Sequence, residues 1–97
     1  MDTLTKTVYD VVMGYARKGL NSQSYFTHND ENTIFSVVTV TANNTSFVSL
    51  LIRISNSVII VEQDRNDKAL VDALLQAGIQ RESIRLAYKG EPIPAAA

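Results

Sequence analysis

Among residue types that do chemistry, His28 comes first, because imidazole is the only side chain that titrates near neutral pH unperturbed. It stands alone, since the chain has one His and no Cys. A general base also needs a nucleophile and an orienting acid at fixed geometry. Thr27, Asn29 and Asp30 beside it read instead as a solvated turn. The second candidate is the carboxylate group of Glu62 and Asp64, with Asp67 and Asp72 following. Clustered carboxylates at a strand end can hold Mg²⁺ through waters. The same spacing suits a strand-to-helix junction, where an Asp caps the helix and another favours the positive end of its dipole. The junction is the preferred reading. No Gly-x-Ser-x-Gly elbow surrounds any serine. The four glycines, at 14, 19, 78 and 90, are too dispersed for a phosphate loop. Asn43-Asn44-Thr45 fits a glycosylation sequon, but Met1-Asp2-Thr3-Leu4 does not open a secretory leader.

Residues 2–18 predict an amphipathic helix. Leu4, Val8, Val11, Val12 and Tyr15 form one stripe of period 3.6. Asp2 or Thr3 caps its start, Arg17 and Lys18 favour its carbonyl end, and Gly19 stops it. Gly14 is a weak point inside it. Ser24 to Thr27 reads as a short strand, and Asn29 to Asn32 as a polar turn. From Thr33 the period changes to two. Ile34 to Thr41, Phe47 to Ser55 and Val58 to Glu62 are strands, joined through Asn43-Asn44-Thr45 and Asn56-Ser57. Connections this short impose antiparallel neighbours. Asp64, Asn66 or Asp67 caps a second helix with the stripe Leu70, Ala73, Leu74 and Ala77, and Gly78 ends it. Ile84, Leu86 and Tyr88 alternate as a last strand. The fold class is α+β: two layers, an antiparallel sheet of four to five strands, and two helices on one face. Residues 1–90 form the domain and 91–97 a flexible tail.

Side-chain alternation suggests that Phe35, Val37, Phe47, Leu51, Ile59 and Val61 point away from the helices, with Thr39, Thr41, Ser49 and Arg53 among them. Several large apolar groups on one bare face suit a protein partner or a second copy of the chain. Phe35, Val37, Phe47, Leu51, Arg53 and Ile59 are the candidate interface residues. Arg53 can pair with Glu62 on the next strand or reach a partner.

Composition narrows the function further. The chain has 97 residues, 45% hydrophobic and 20% charged. That is one domain of ordinary globular character. Nine Lys and Arg against ten Asp and Glu leave a net charge of −1. Counterion release from nucleic acid needs a positive field, so direct DNA binding, with Arg17, Lys18, Arg81, Arg85 and Lys89 as its only candidates, is disfavoured. No apolar run approaches the roughly 20 residues of a membrane helix, and the expected compartment is the cytoplasm. No catalytic, metal or cofactor site is expected.

Three stretches resemble the XisI family, the fdxN element excision controlling factors. They are Met1-Asp2-x-Leu4 with Val11-Val12 and Tyr15-Ala16; Ile52-Arg53-Ile54 through Val58 to Asp64; and Asp72 to Tyr88, which matches a helix, Gly-Ile and strand ending. The chain departs from the family in having no Trp, in Gln80 where Pro is usual, and in stopping after Glu91-Pro92-Ile93-Pro94 without a basic, aromatic continuation. The resemblance implies a non-enzymatic accessory factor in cyanobacterial programmed DNA excision, acting beside a nuclease-like XisH-type partner and a separate recombinase. It carries over no catalytic residue. The alternatives are an interaction domain of unrelated role and a metal-dependent enzyme built on Glu62 and Asp64.

Overall fold

The computed structural model describes residues 1–66 and 70–93. Helix α1 (Thr3–Met13) starts where Asp2 caps it, its carboxylate accepting the Thr5 N–H at 2.7 Å. The helix stops sooner than its apolar stripe predicts. Gly14 is the C-cap, and the N–H groups of Tyr15 and Ala16 reach back three residues to Val12 and Met13. Glycine costs about 1 kcal/mol inside a helix and far less at its end, so the boundary falls there. Arg17 and Lys18 are therefore not in the last turn. They run beside the next strand instead: Ser24 N–H donates to the Arg17 carbonyl and Gly19 N–H to the Ser22 carbonyl, both at 2.8 Å, with Lys18 bridged to Gln23.

The sheet follows chain order: β1 (Ser22–His28), β2 (Ile34–Thr41), β3 (Ser46–Ser55), β4 (Val58–Asp64) and β5 (Ile84–Leu86). The first four strands form the expected antiparallel meander. Asn56 and Ser57 join β3 to β4 with φ of 52° and 62°. Two consecutive positive φ values give a turn whose twist matches the strands it joins. The fifth strand corrects the all-antiparallel expectation. It runs parallel to β4, Ile59 opposite Ile84 and Val61 opposite Leu86, because helix α2 (Leu70–Gln76) lies between them and carries the chain back. Gly78, at φ 98°, closes α2 while Ile79 N–H bonds the Leu74 carbonyl and Gly78 N–H the Leu75 carbonyl. The cap proposed at Asp67 lies outside the described residues.

Tyr88 is in a 3₁₀ turn (Ala87–Lys89), not in the strand. The chain then reverses at Gly90, φ 83°, and Glu91 is fastened twice. Its carboxylate accepts the Leu86 N–H at 2.9 Å and pairs with Arg81 at 2.8 Å. Of the expected tail, Pro94 to Ala97 lie outside the described residues.

Both helices cover one face of the sheet. Val8 and Val12 from α1 and Leu70 and Leu74 from α2 join Phe35, Val37, Leu50, Ile52, Ile59, Val61 and Ile84 in one core, each 0–1% exposed. Complete burial of such a side chain contributes about 1.5–3 kcal/mol. Tyr9 closes the core at the edge, its ring edge-on to Phe26 with centroids 5.0 Å apart.

This core overturns part of the expected outer face. Phe35, Val37, Ile59 and Val61 point into the helices. Directly opposed residues share a sheet face, and Phe35 faces Ile52, Val37 faces Leu50 and Val61 faces Ile52. Once Leu50 and Ile52 are inside, their partners must be. A bulge at Val37/Val38 adds Ser49 to β3 between Val48 and Leu50. Beyond it the alternation inverts, so Phe47 and Ser49 fall on the helix side, with Thr39, while Val48 faces out. Thr39 and Ser49 are correspondingly buried, and Phe47 half-buried.

Candidate interaction surface

The helix-free face is assembled by cross-strand register. Tyr25, Val38 and Val48 form one row, Thr27, Ser36, Leu51 and Gln63 the next, and Ile34, Arg53, Ile60 and Arg85 the third. Val40 extends the apolar set beside Gln23. Tyr25 is 48% and Ile34 45% exposed, and Val38, Val40, Val48 and Leu51 are half-buried with no helix above them among the described residues. The third row carries the charges. Arg53 Nε donates to Glu62 Oε2 at 2.6 Å across β3 and β4, the pairing expected from the sequence. Ile60, 1% exposed, sits between Arg53 and Arg85 in that row. Arg85 spends its guanidinium on the carbonyls of Glu82 and Ile84. The surface is therefore an aliphatic field centred on β2 and β3, bounded on one side by a neutralised ion pair.

Of the six interface residues expected from the sequence, Leu51 and Arg53 stand on this face. Phe35, Val37 and Ile59 are core. Phe47 is on the opposite face beneath the Arg65 guanidinium, whose central carbon is 4.6 Å from the ring centroid. Sequence reasoning missed Tyr25, Ile34, Val38, Val40 and Val48. Their signal was present, since both alternating sets of β2 are apolar, but choosing between the sets requires the register.

The other chemical candidates are separated by the fold. A second bulge, at Leu51/Ile52, leaves Glu62 as the extra residue on β4. Glu62 turns to Arg53, whereas Asp64 opposes Leu50 on the helix side and accepts from the Asn66 backbone and side-chain N–H groups at 3.0 and 3.1 Å. The two carboxylates do not converge. Among the described residues no three His, Asp or Glu side chains stand close enough to hold a metal ion. His28 ends β1 on the helix face, its ring 5.2 Å from Tyr9 and 5.5 Å from Phe26. It serves as an aromatic neighbour, with Nδ1 3.0 Å from the Asn29 carbonyl. Arg81, a candidate DNA contact, is bound to Glu91 and the Ile84 carbonyl. Tyr15 is held protonated far above neutrality: burial, then the charge of Asp64, push its phenol up to about 12. No helix among the described residues is long and apolar enough to cross a membrane.

This architecture recurs in solved structures. A XisI-like protein from Anabaena variabilis ATCC 29413 superimposes with a TM-score of 0.71 at 17% identity, covering 84% of this chain and 81% of that one. The fdxN element excision controlling factor XisI from the same organism gives 0.64 at 17% identity, over 87% and 88%. At that identity the likeness is one of fold. No curated protein sequence matches the chain. The model of the XisI protein family matches residues 2–93, nearly the whole domain, and the chain belongs to that family.

Proposed function

We propose that this protein is a non-enzymatic accessory factor that controls excision of a DNA element by holding a XisH-like, nuclease-type partner on the helix-free face of its sheet. One observation carries the reading: a central field of Tyr25, Ile34, Val38, Val48 and Leu51 that the described residues leave without cover, the two helices both lying opposite. Uncovered apolar patches of this kind mark interaction sites. The family membership and the fold shared with an excision controlling factor support the process. The overall charge of −1 favours action through a protein rather than through direct contact with DNA.

The test is the solution mass, by light scattering, of the protein alone and mixed with a XisH-like protein. The reading expects a stable mixed complex that Tyr25→Ser and Leu51→Ser weaken while the free variant keeps its native circular dichroism. A homo-oligomer dissociated by the same substitutions assigns the face to a second copy instead. A monomer that ignores the partner overturns the proposal.

A further inference from the structure

On the helix side the core ends before the sheet does. Past the row of Phe26, Val37 and Leu50 the next row is Ser24, Thr39 and Phe47, and there a half-open cavity of about 500 Å³ lies between the sheet, Tyr15 and the segment after α1. That is within the range of small-ligand pockets, about 300–1,000 Å³.

Its floor has a defined polarity. Ser49 Oγ donates to the Val37 carbonyl at 3.1 Å, which can only accept. Ser49 therefore receives from Thr39, at 3.2 Å. Thr39 has no second proton, so Ser24 donates to it, at 2.9 Å. Every hydroxyl proton of the relay is directed inward, and Ser24 is left with oxygen lone pairs toward the cavity.

Its rim is cationic. Arg17, Lys18 and Arg65 line it, and no carboxylate does among the described residues. These cations are mounted on fixed backbone. The Arg17 carbonyl is bonded to Ser24 N–H and Lys18 is bridged to Gln23. Arg65 N–H donates to the Ser49 carbonyl at 2.8 Å while its guanidinium rests on Phe47. Among the described residues none of the three forms an ion pair, whereas Lys6, Arg53 and Arg81 each do. Asp64, the nearby acid, is occupied by Asn66.

We propose that this cavity binds a small organic phosphate bearing hydroxyl groups, the phosphate between Arg17, Lys18 and Arg65 and a ligand hydroxyl donating to Ser24. Guanidinium forks and an ammonium match a phosphate's several oxygens. The inward relay selects a ligand with donors rather than a bare anion. The site is on the face away from the proposed partner surface and does not depend on it.

Isothermal titration of the full chain with ribose 5-phosphate, glycerol 3-phosphate and adenosine 5′-monophosphate tests the assignment, with ribose, inorganic phosphate and a single-stranded oligonucleotide as controls. Work at about 0.15 M salt screens diffuse surface attraction. At least one ester is expected to saturate below about 10 mM, with Arg17→Gln and Arg65→Gln each weakening it roughly tenfold or more. Both side chains are exposed, so the variants keep the fold, checked by circular dichroism. Absence of ester binding, binding indifferent to both substitutions, ribose or inorganic phosphate binding as tightly as the ester, or binding of the oligonucleotide alone overturns the proposal.

Discussion

The two faces of the sheet are made from the same side chains and meet opposite environments. Val37, Leu50 and Ile52 are sealed beneath helices, while Val38 and Leu51, one residue away along the same strands, are not. Hydrophobicity does not separate them. Register does: the face each residue takes is set by the residue across the ladder, and two bulges decide where that assignment changes sign. The helix-covered face thus carries the stability and the bare face is free to carry a partner.

Four measurements sharpen that contrast. Phe35→Ala should have the largest effect, about 3–5 kcal/mol lost in urea unfolding, because the site is fully enclosed. A loss under 1 kcal/mol would mean that the core is far looser than its burial. Thr39→Val keeps the shape but breaks the hydroxyl relay, leaving buried Ser49 without its donor, and should cost about 1–3 kcal/mol. Leu51→Ser and Arg53→Ala on the open face should each cost the free protein less, about 0.2–1 kcal/mol for the half-exposed Arg53–Glu62 pair. If Leu51→Ser costs as much as Phe35→Ala, the face is not open.

The smallest effect is on pH dependence. The Leu86 N–H, then Arg81, hold the Glu91 carboxyl below its ordinary 4.5, and the Thr5 N–H does the same for Asp2. Both groups bind protons more tightly when unfolded, so their stabilisation is complete above the unfolded value and is lost as pH falls through the folded one. Glu91→Gln should lower stability at neutral pH, where the carboxylate's bonds are complete, and the gap to the parent should close as pH falls, which flattens the acid limb of the profile. Tyr15 acts in the other direction. Its raised value keeps the folded state protonated, and stability falls as pH climbs from 10 toward 12. A Tyr15→Phe variant should lose that alkaline decline, and ultraviolet titration should lose a phenol that ionises at about 12.

Much of this was legible in the chain. The β2 strand, the Asn43-Asn44 and Asn56-Ser57 turns, the Asp2 cap and Gly78 follow from local chemistry, since each answers a backbone requirement within a few residues. The faces were not legible, because Ile34 to Thr41 is apolar on both alternations and Val58 to Val61 is apolar throughout. The bulge at Ser49 has no local signature, yet it moves Phe47 and Val48 to opposite sides. The cavity was hidden for the same reason. Arg17 and Lys18 look like helix-end cations until Gly14 ends α1, and Arg65 joins them only through the ladder to Ser49.

The parallel fifth strand bears on the order of folding. Strands β1 to β4 are linked by connections of two to five residues, so their pairing closes small loops and is kinetically cheap. The β4–β5 pairing joins residues separated by the whole of α2, so it closes a longer loop. The meander is therefore expected to form first and the C-terminal segment to lock on afterwards, with Glu91 as its latch. Pulsed hydrogen exchange would record that sequence as early protection of Ile52 and Ile60 and late protection of Leu86.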